Sequence, residues 1–85
     1  MSWRVELTPS AQRDLRRLDP PVAKRILDAL VRFADTGRGD LQYISDAYPP
    51  AWRLRVGDWR VRFRRDDVQQ ILIVLQIRHR GEAYR

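Results

Sequence analysis

Trp52-Arg53-Leu54-Arg55-Val56-Gly57-Asp58-Trp59-Arg60-Val61-Arg62-Phe63-Arg64 alternates apolar and basic residues on both sides of a Gly-Asp pair. Strict alternation is the period of a strand with one buried face. Glycine at the first central position of a two-residue loop is what a type II′ hairpin turn requires. The register follows: Val56 opposes Trp59, Arg55 opposes Arg60, Leu54 opposes Val61, and Arg53 opposes Arg62. Trp52, Leu54, Val56, Trp59, Val61 and Phe63 then face a core, and four guanidinium groups share the other face in two opposed pairs. Like charges facing across strands are destabilising, each pair by about 0.2 to 1 kcal/mol. No acid is expected on that face between Arg53 and Arg64, so an external anion is the simplest reason for the arrangement. A solvated outer face with splayed side chains is the plainer alternative. On either reading Arg60→Ala relieves repulsion and leaves the free fold at least as stable.

Working outward, Ile71 to Ile77 is apolar at nearly every position, which predicts a central strand covered on much of both faces. Toward the N-terminus, Trp3, Val5 and Leu7 alternate with Arg4 and Glu6, a short strand. Thr8-Pro9 supplies an N-cap and a first-turn proline, and Ala11, Leu15 and Leu18 repeat at helical spacing, giving a helix over about 9–18. Asp19-Pro20-Pro21 interrupts it, because neither proline donates a helical N–H. A second helix restarts with Val22, Ile26, Ala29, Leu30 and Phe33 as its apolar stripe and Gly37 as its C-cap. Residues 38–50 show no periodicity and are rich in Gly, Asp, Ser and Pro, so they read as a loop on which Tyr43 and Tyr48 either pack or await a ligand. The order β-α-α-β-β-β is an α+β domain: an N-terminal strand, then an αα-hairpin packed on one face of a small, mainly antiparallel sheet.

The chain has 85 residues, enough for one domain over 1–85 but not for two cores. No stretch is apolar enough for a membrane span, and the first ten residues lack the layout of a secretory signal, so a cytoplasmic location and no membrane contact are expected. With no Cys, one His and no acidic cluster, any chemistry should proceed without metal or other cofactor. A net charge of +6 points to a polyanionic partner. Lys24 is the only Lys among the 17 Lys and Arg residues. Arginine offers a planar fork for phosphate, though a codon bias would produce the same ratio, and position has to decide.

The chain end carries a second cluster, Arg78-His79-Arg80, followed by Tyr84 and Arg85. Alone it is an ordinary basic tail, yet guanidinium groups beside an imidazole and a phenol form a usable set for phosphoryl chemistry.

Taken in order, the Ala11-x-x-Asp14-Leu15-x-x-Leu18 helix, the Arg-Val-Gly-Asp-Trp-Arg hairpin of residues 55–60 and the Arg78-His79-Arg80-Gly81-Glu82-Ala83-Tyr84 ending resemble the RelE/ParE superfamily of toxins. Those toxins belong to bacterial type II toxin–antitoxin systems, and the similarity spans essentially the whole chain. It implies a toxin in a hetero-oligomer with a cognate antitoxin. In the RelE-like branch the implied activity is ribosome-dependent, metal-independent endoribonucleolytic cleavage of mRNA at A-site codons, which inhibits translation. In the ParE-like branch it is inhibition of DNA gyrase with no RNA cut. Arg78 together with Tyr84 favours the RelE-like branch, with the ribosome and mRNA as targets. By position, the resemblance carries over Arg53, Arg55, Arg60, Arg78 and Tyr84; the chemistry of these side chains then makes Tyr84 the expected base, with Arg60 and Arg78 stabilising phosphorane charge and His79 a reserve acid. Arg53, Arg55, Arg62 and Arg80 would hold the RNA backbone.

Overall fold

The computed structural model describes residues 2–44 and 50–83. Its elements in chain order are β1 (Arg4–Leu7), α1 (Pro9–Arg16), α2 (Pro20–Thr36), β2 (Asp40–Ile44), β3 (Ala51–Val56), β4 (Trp59–Asp66), β5 (Ile71–His79) and the short α3 (Arg80–Ala83). The strands form one sheet in the order β1-β5-β4-β3-β2. β1 runs parallel to β5 and the other pairs are antiparallel. The helical hairpin carries the chain from one sheet edge to the other, and the β2-to-β5 meander brings it back beside β1. This is the expected α+β architecture, with one strand more than the sequence showed.

Local chemistry explains the helices. Thr8 Oγ1 accepts a hydrogen bond from the Ala11 N–H at 3.1 Å, and Pro9 opens α1. Pro20 and Pro21 occupy the first turn of α2, where a missing N–H costs nothing. Gly37 closes α2 at φ +73, its N–H donating to the Phe33 carbonyl at 2.8 Å. Among the described residues no helix is long and apolar enough to cross a membrane.

Ala11, Ile26, Leu30, Phe33 and Ala34 pack on Leu54, Val56, Val61, Phe63, Leu72, Val74 and Ile77, with Trp52 and Trp59 at the margin. The hairpin register is the expected one, and Gly57 has φ +60 while Asp58 stays at negative φ, as a type II′ turn needs. The expected loop over 38–50 is corrected: residues 40–44 are a strand. β2 is an edge strand paired on one side only. Leu41 alone of its side chains packs against the core, so it lacks the alternation that marks a half-buried strand. Tyr43 packs edge-on against Trp52, ring centroids 4.8 Å apart; Tyr48 lies outside the described residues. β5 is central but covered by helices on one face only. On the other, Ile71 is buried and Ile73 half-buried, with Arg64 of β4 level with Ile73.

One irregularity decides where the chain end points. Phe63 pairs with Val74 and Arg62 with Gln76, leaving Leu75 as an extra residue in β5. This β-bulge is held from α1. The Thr8 N–H donates to the Val74 carbonyl at 3.0 Å and the Thr8 hydroxyl to the Leu75 carbonyl at 3.1 Å.

Three substitutions test this packing. Leu30→Ala, at a fully buried position, should cost roughly 2 to 5 kcal/mol in urea unfolding. Thr8→Val, which removes both a helix cap and the bulge anchor, should cost about 1 to 2 kcal/mol. Val31→Ala, at an exposed position, should stay within about 0.5 kcal/mol of the parent chain.

Candidate nucleic-acid interface

The uncovered sheet face is organised by register. Across β2, β3, β4 and β5, one row reads Asp40, Arg55, Arg60, Arg78, and the next reads Gln42, Arg53, Arg62, Gln76. The bulge at Leu75 makes these rows continuous. On β5, Leu72 and Val74 face the helices, so without the extra residue Arg78 would fall on the helix side; with it, Ile77 packs inward and Arg78 joins the arginines.

Arg53, Arg60, Arg62, Gln76 and Arg78 line a concavity of about 110 Å³. That is well below the roughly 300 Å³ at which small-molecule pockets begin, and it suits a single tetrahedral anion rather than a nucleotide. No acid lines it. Among the described residues Arg53, Arg60 and Arg62 form no ion pair, and the buried Nε of Arg62 and of Arg64 have no hydrogen-bond partner. Buried donors without partners are rare in folded proteins, and both of these belong to arginines of the open face.

Acids stand at the ends of the arginine row rather than within it. Arg55 Nε donates to Asp40 Oδ2 at 2.7 Å, an acid that reaches the end of the row from outside residues 53–64. The unrecognised strand β2 brings that carboxylate in. At the other end Arg78 Nη1 donates to Asp14 Oδ2 at 2.6 Å. Asp14 also accepts the Ile77 N–H at 2.9 Å, capping the stretch of β5 that extends beyond β1. Sequence reading passed over Asp14, although a signal was there: with Ala11, Leu15 and Leu18 it completes the i, i+3, i+4, i+7 face that turns inward. An acid on that face needs a buried partner.

The remaining candidates are dispersed. Arg60 is not the solvent-facing residue expected but is 8% exposed, and its Nη1 donates to the carbonyls of Gly57 and Trp59, both at 3.3 Å. His79 lies on the helix side of the sheet, edge-on to Trp59 with centroids 5.2 Å apart, and its Nδ1 accepts the Gly81 N–H. The structure therefore separates it from the arginine concavity. Arg80 begins α3 and is held to the hairpin tip, its N–H donating to the Asp58 carbonyl at 2.7 Å and its guanidinium 3.6 Å from the Asp58 carboxylate. Arg65 is on the other face too, over the rings of Trp3 and Trp52 at 5.0 and 5.5 Å. Tyr84 lies outside the described residues. Larger grooves occur elsewhere, one of about 320 Å³ beside Trp3 and Phe33 and one of about 770 Å³ beside Tyr43 and Trp52, but neither includes a residue of the concavity.

A sheet with one face under a helical hairpin and the other lined by arginines is a fold with known relatives. The chain belongs to the RelE/ParE family of toxins from type II toxin–antitoxin systems, since the model of the ParE toxin of the type II system parDE matches residues 5–84. Toxin RelG of Mycobacterium tuberculosis is 33% identical over 90 residues, covering 100% of this chain and 99% of that toxin. In fold the chain is similar to the RelBE2 toxin–antitoxin complex of Mycobacterium tuberculosis, with TM-score 0.82, 22% identity, and coverage of 94% of this chain and 100% of that one. It is similar also to the archaeal RelE–RelB complex of Pyrococcus horikoshii, with TM-score 0.78, 20% identity, and coverage of 95% and 98%.

The burial of Arg60 reverses its expected effect on stability. Arg60→Ala should lower the melting temperature, because it empties a packed site and strips two carbonyls of a charged donor. Arg62→Ala, which removes a half-buried cation directly opposite Arg53, should hold the melting temperature or raise it slightly. Thermal unfolding of the two variants side by side checks the order.

Proposed function

We propose that the chain is a ribosome-dependent endoribonuclease of the RelE-like branch, cutting mRNA at A-site codons and so inhibiting translation in the cytoplasm. The observation that carries this reading is the concavity of Arg53, Arg60, Arg62 and Arg78, sized for one phosphate and with no acid among its described lining residues. Relatives whose names are those of RelE-type toxins support it.

In the proposed step the ribose 2′-oxygen attacks the adjacent phosphorus. The P–O5′ bond breaks, leaving a 2′,3′-cyclic phosphate and a 5′-hydroxyl that takes its proton from water. Tyr84, as its phenolate, accepts the 2′-OH proton and becomes the neutral phenol. Arg60 and Arg78 meet the charge that grows on the phosphorane oxygens. Arg60 is preorganised by its two carbonyl bonds, so little reorganisation is needed as that charge appears. Arg53, Arg55 and Arg62 hold the backbone on either side. With a cavity that admits only a phosphate, sequence choice has to come from the ribosome, which presents the codon in a fixed pose. His79 has no part in this scheme, given its place on the opposite face. A cognate antitoxin, brought in from the complexes that the structural relatives form, would neutralise the basic surface with an acidic or amphipathic segment.

The match to a ParE family model favours a second reading, in which the same face inhibits DNA gyrase without cutting RNA. Induced expression separates the two. The first reading expects growth arrest with ribosome-bound mRNA cut within codons and plasmid supercoiling intact. Lost supercoiling with intact mRNA would replace it with the second.

A further inference from the structure

We infer that Asp14, on α1, is a positioning residue for the reaction, holding Arg78 at the lip of the phosphate concavity. The inference rests on the endoribonuclease reading and adds a residue that the family resemblance did not assign. Arg78 borders two depressions: the concavity it shares with Arg53, Arg60 and Arg62, and a groove on the helix side lined by Asp14, Arg17, Leu18, Trp59 and Ile77. Its side chain therefore sits where β5 has outrun β1 and only β4 flanks it, with Nη1 also donating to the Ile77 carbonyl at 3.0 Å. Asp14 supplies the restraint. One carboxylate oxygen takes both the Ile77 N–H at 2.9 Å and the Arg78 Nη1 at 2.6 Å, so strand edge and guanidinium are fixed by the same atom.

Asp14 has little other reason to be there. Its side chain is 11% exposed, and a buried carboxylate is stabilised only by partners of this kind. A neutral acceptor would cap the Ile77 N–H as well. The negative charge matters for Arg78 because its neighbours in the row, Arg60 and Arg55, carry like charges that a neutral acceptor would not offset. Asp14 does not touch the phosphate; it acts through Arg78.

Asp14→Asn tests this, because the amide keeps volume and an acceptor for Ile77 while its NH2 meets the donors of Arg78. The substitution also raises the net charge by one, which strengthens attraction to RNA. A loss of activity thus cannot come from weaker electrostatic binding. On translating ribosomes, kcat should fall about ten- to a hundredfold with KM unchanged or lower, as a misplaced catalytic group does. Asp14→Glu, which keeps the charge, should recover most of the rate. Arg78→Ala should lose at least as much as Asp14→Asn, and the double variant no more than Arg78→Ala alone. Additive losses, or a wild-type rate in Asp14→Asn, would overturn the proposal.

If the parent chain cuts no ribosomal mRNA, the endoribonuclease reading fails, and side-chain NMR decides the positioning separately. A sharp Arg78 Nε–H signal, identified by its disappearance in Arg78→Lys, should broaden or vanish in Asp14→Asn. Its persistence unchanged would show that Asp14 does not order Arg78.

Discussion

Everything on the open face of the sheet depends on one extra residue in β5. The bulge at Leu75 converts an apolar strand that faces the helices with its even positions into one that does so with its odd positions. Thr8 anchors it, the backbone N–H extending the β1–β5 ladder to the Val74 carbonyl and the hydroxyl donating to the carbonyl of Leu75 itself. The same hydroxyl caps α1. A single threonine therefore couples the start of the helical hairpin to the orientation of Arg78, and the apolar layer and the charged layer cannot shift independently.

The second constraint is the repulsion of like charges in a small domain. Opposed arginine pairs each cost a few tenths of a kcal/mol, up to about one, against a total stability of only about 5 to 15 kcal/mol. The protein limits that cost by placing acids at the ends of the upper row, Asp40 beside Arg55 and Asp14 beside Arg78, while the centre stays free of them. In the centre, Arg60 is screened by backbone carbonyls rather than by a carboxylate. A carbonyl dipole holds a guanidinium in place without neutralising it. The central positive field is left unneutralised by carboxylates among the described residues, and the flanking acids keep the fold from bearing all of it.

What was legible in the sequence follows from how local each signal is. The hairpin could be read to the residue because Gly57 fixes the turn and the turn fixes the register. The helix ends were readable at Thr8, Pro20 and Gly37 for the same reason. β2 was hidden: an edge strand with one core-packed side chain is stabilised by its neighbour's ladder and not by a pattern of its own. The bulge was hidden as well, since a run of Ile, Leu and Val carries no mark of which residue is extra. That concealment put His79 with the wrong group, because the face of a residue beyond a bulge cannot be counted from one before it. The burial of Arg60 was also beyond local reading. It depends on three strands converging, whereas its sequence context is that of any outward arginine. Asp14 was the opposite case, legible from its place on an apolar stripe and unexplained until β5 supplied its partners.

These constraints account for why an apparently simple layer pair leaves half its sheet uncovered. A second layer on the open face would need apolar residues where the rows carry arginine, and the apolar side already spends the chain's large hydrophobics on one core. The arginines keep that face soluble and block its association with another sheet, as charged faces do. They also leave buried guanidinium donors without partners, and a donor in that state gains more from an incoming phosphate oxygen than a solvated one would, because its own desolvation has already occurred during folding. On the proposed reading, part of the cost of leaving these donors unpaired in the free protein is recovered when an anion binds the open face.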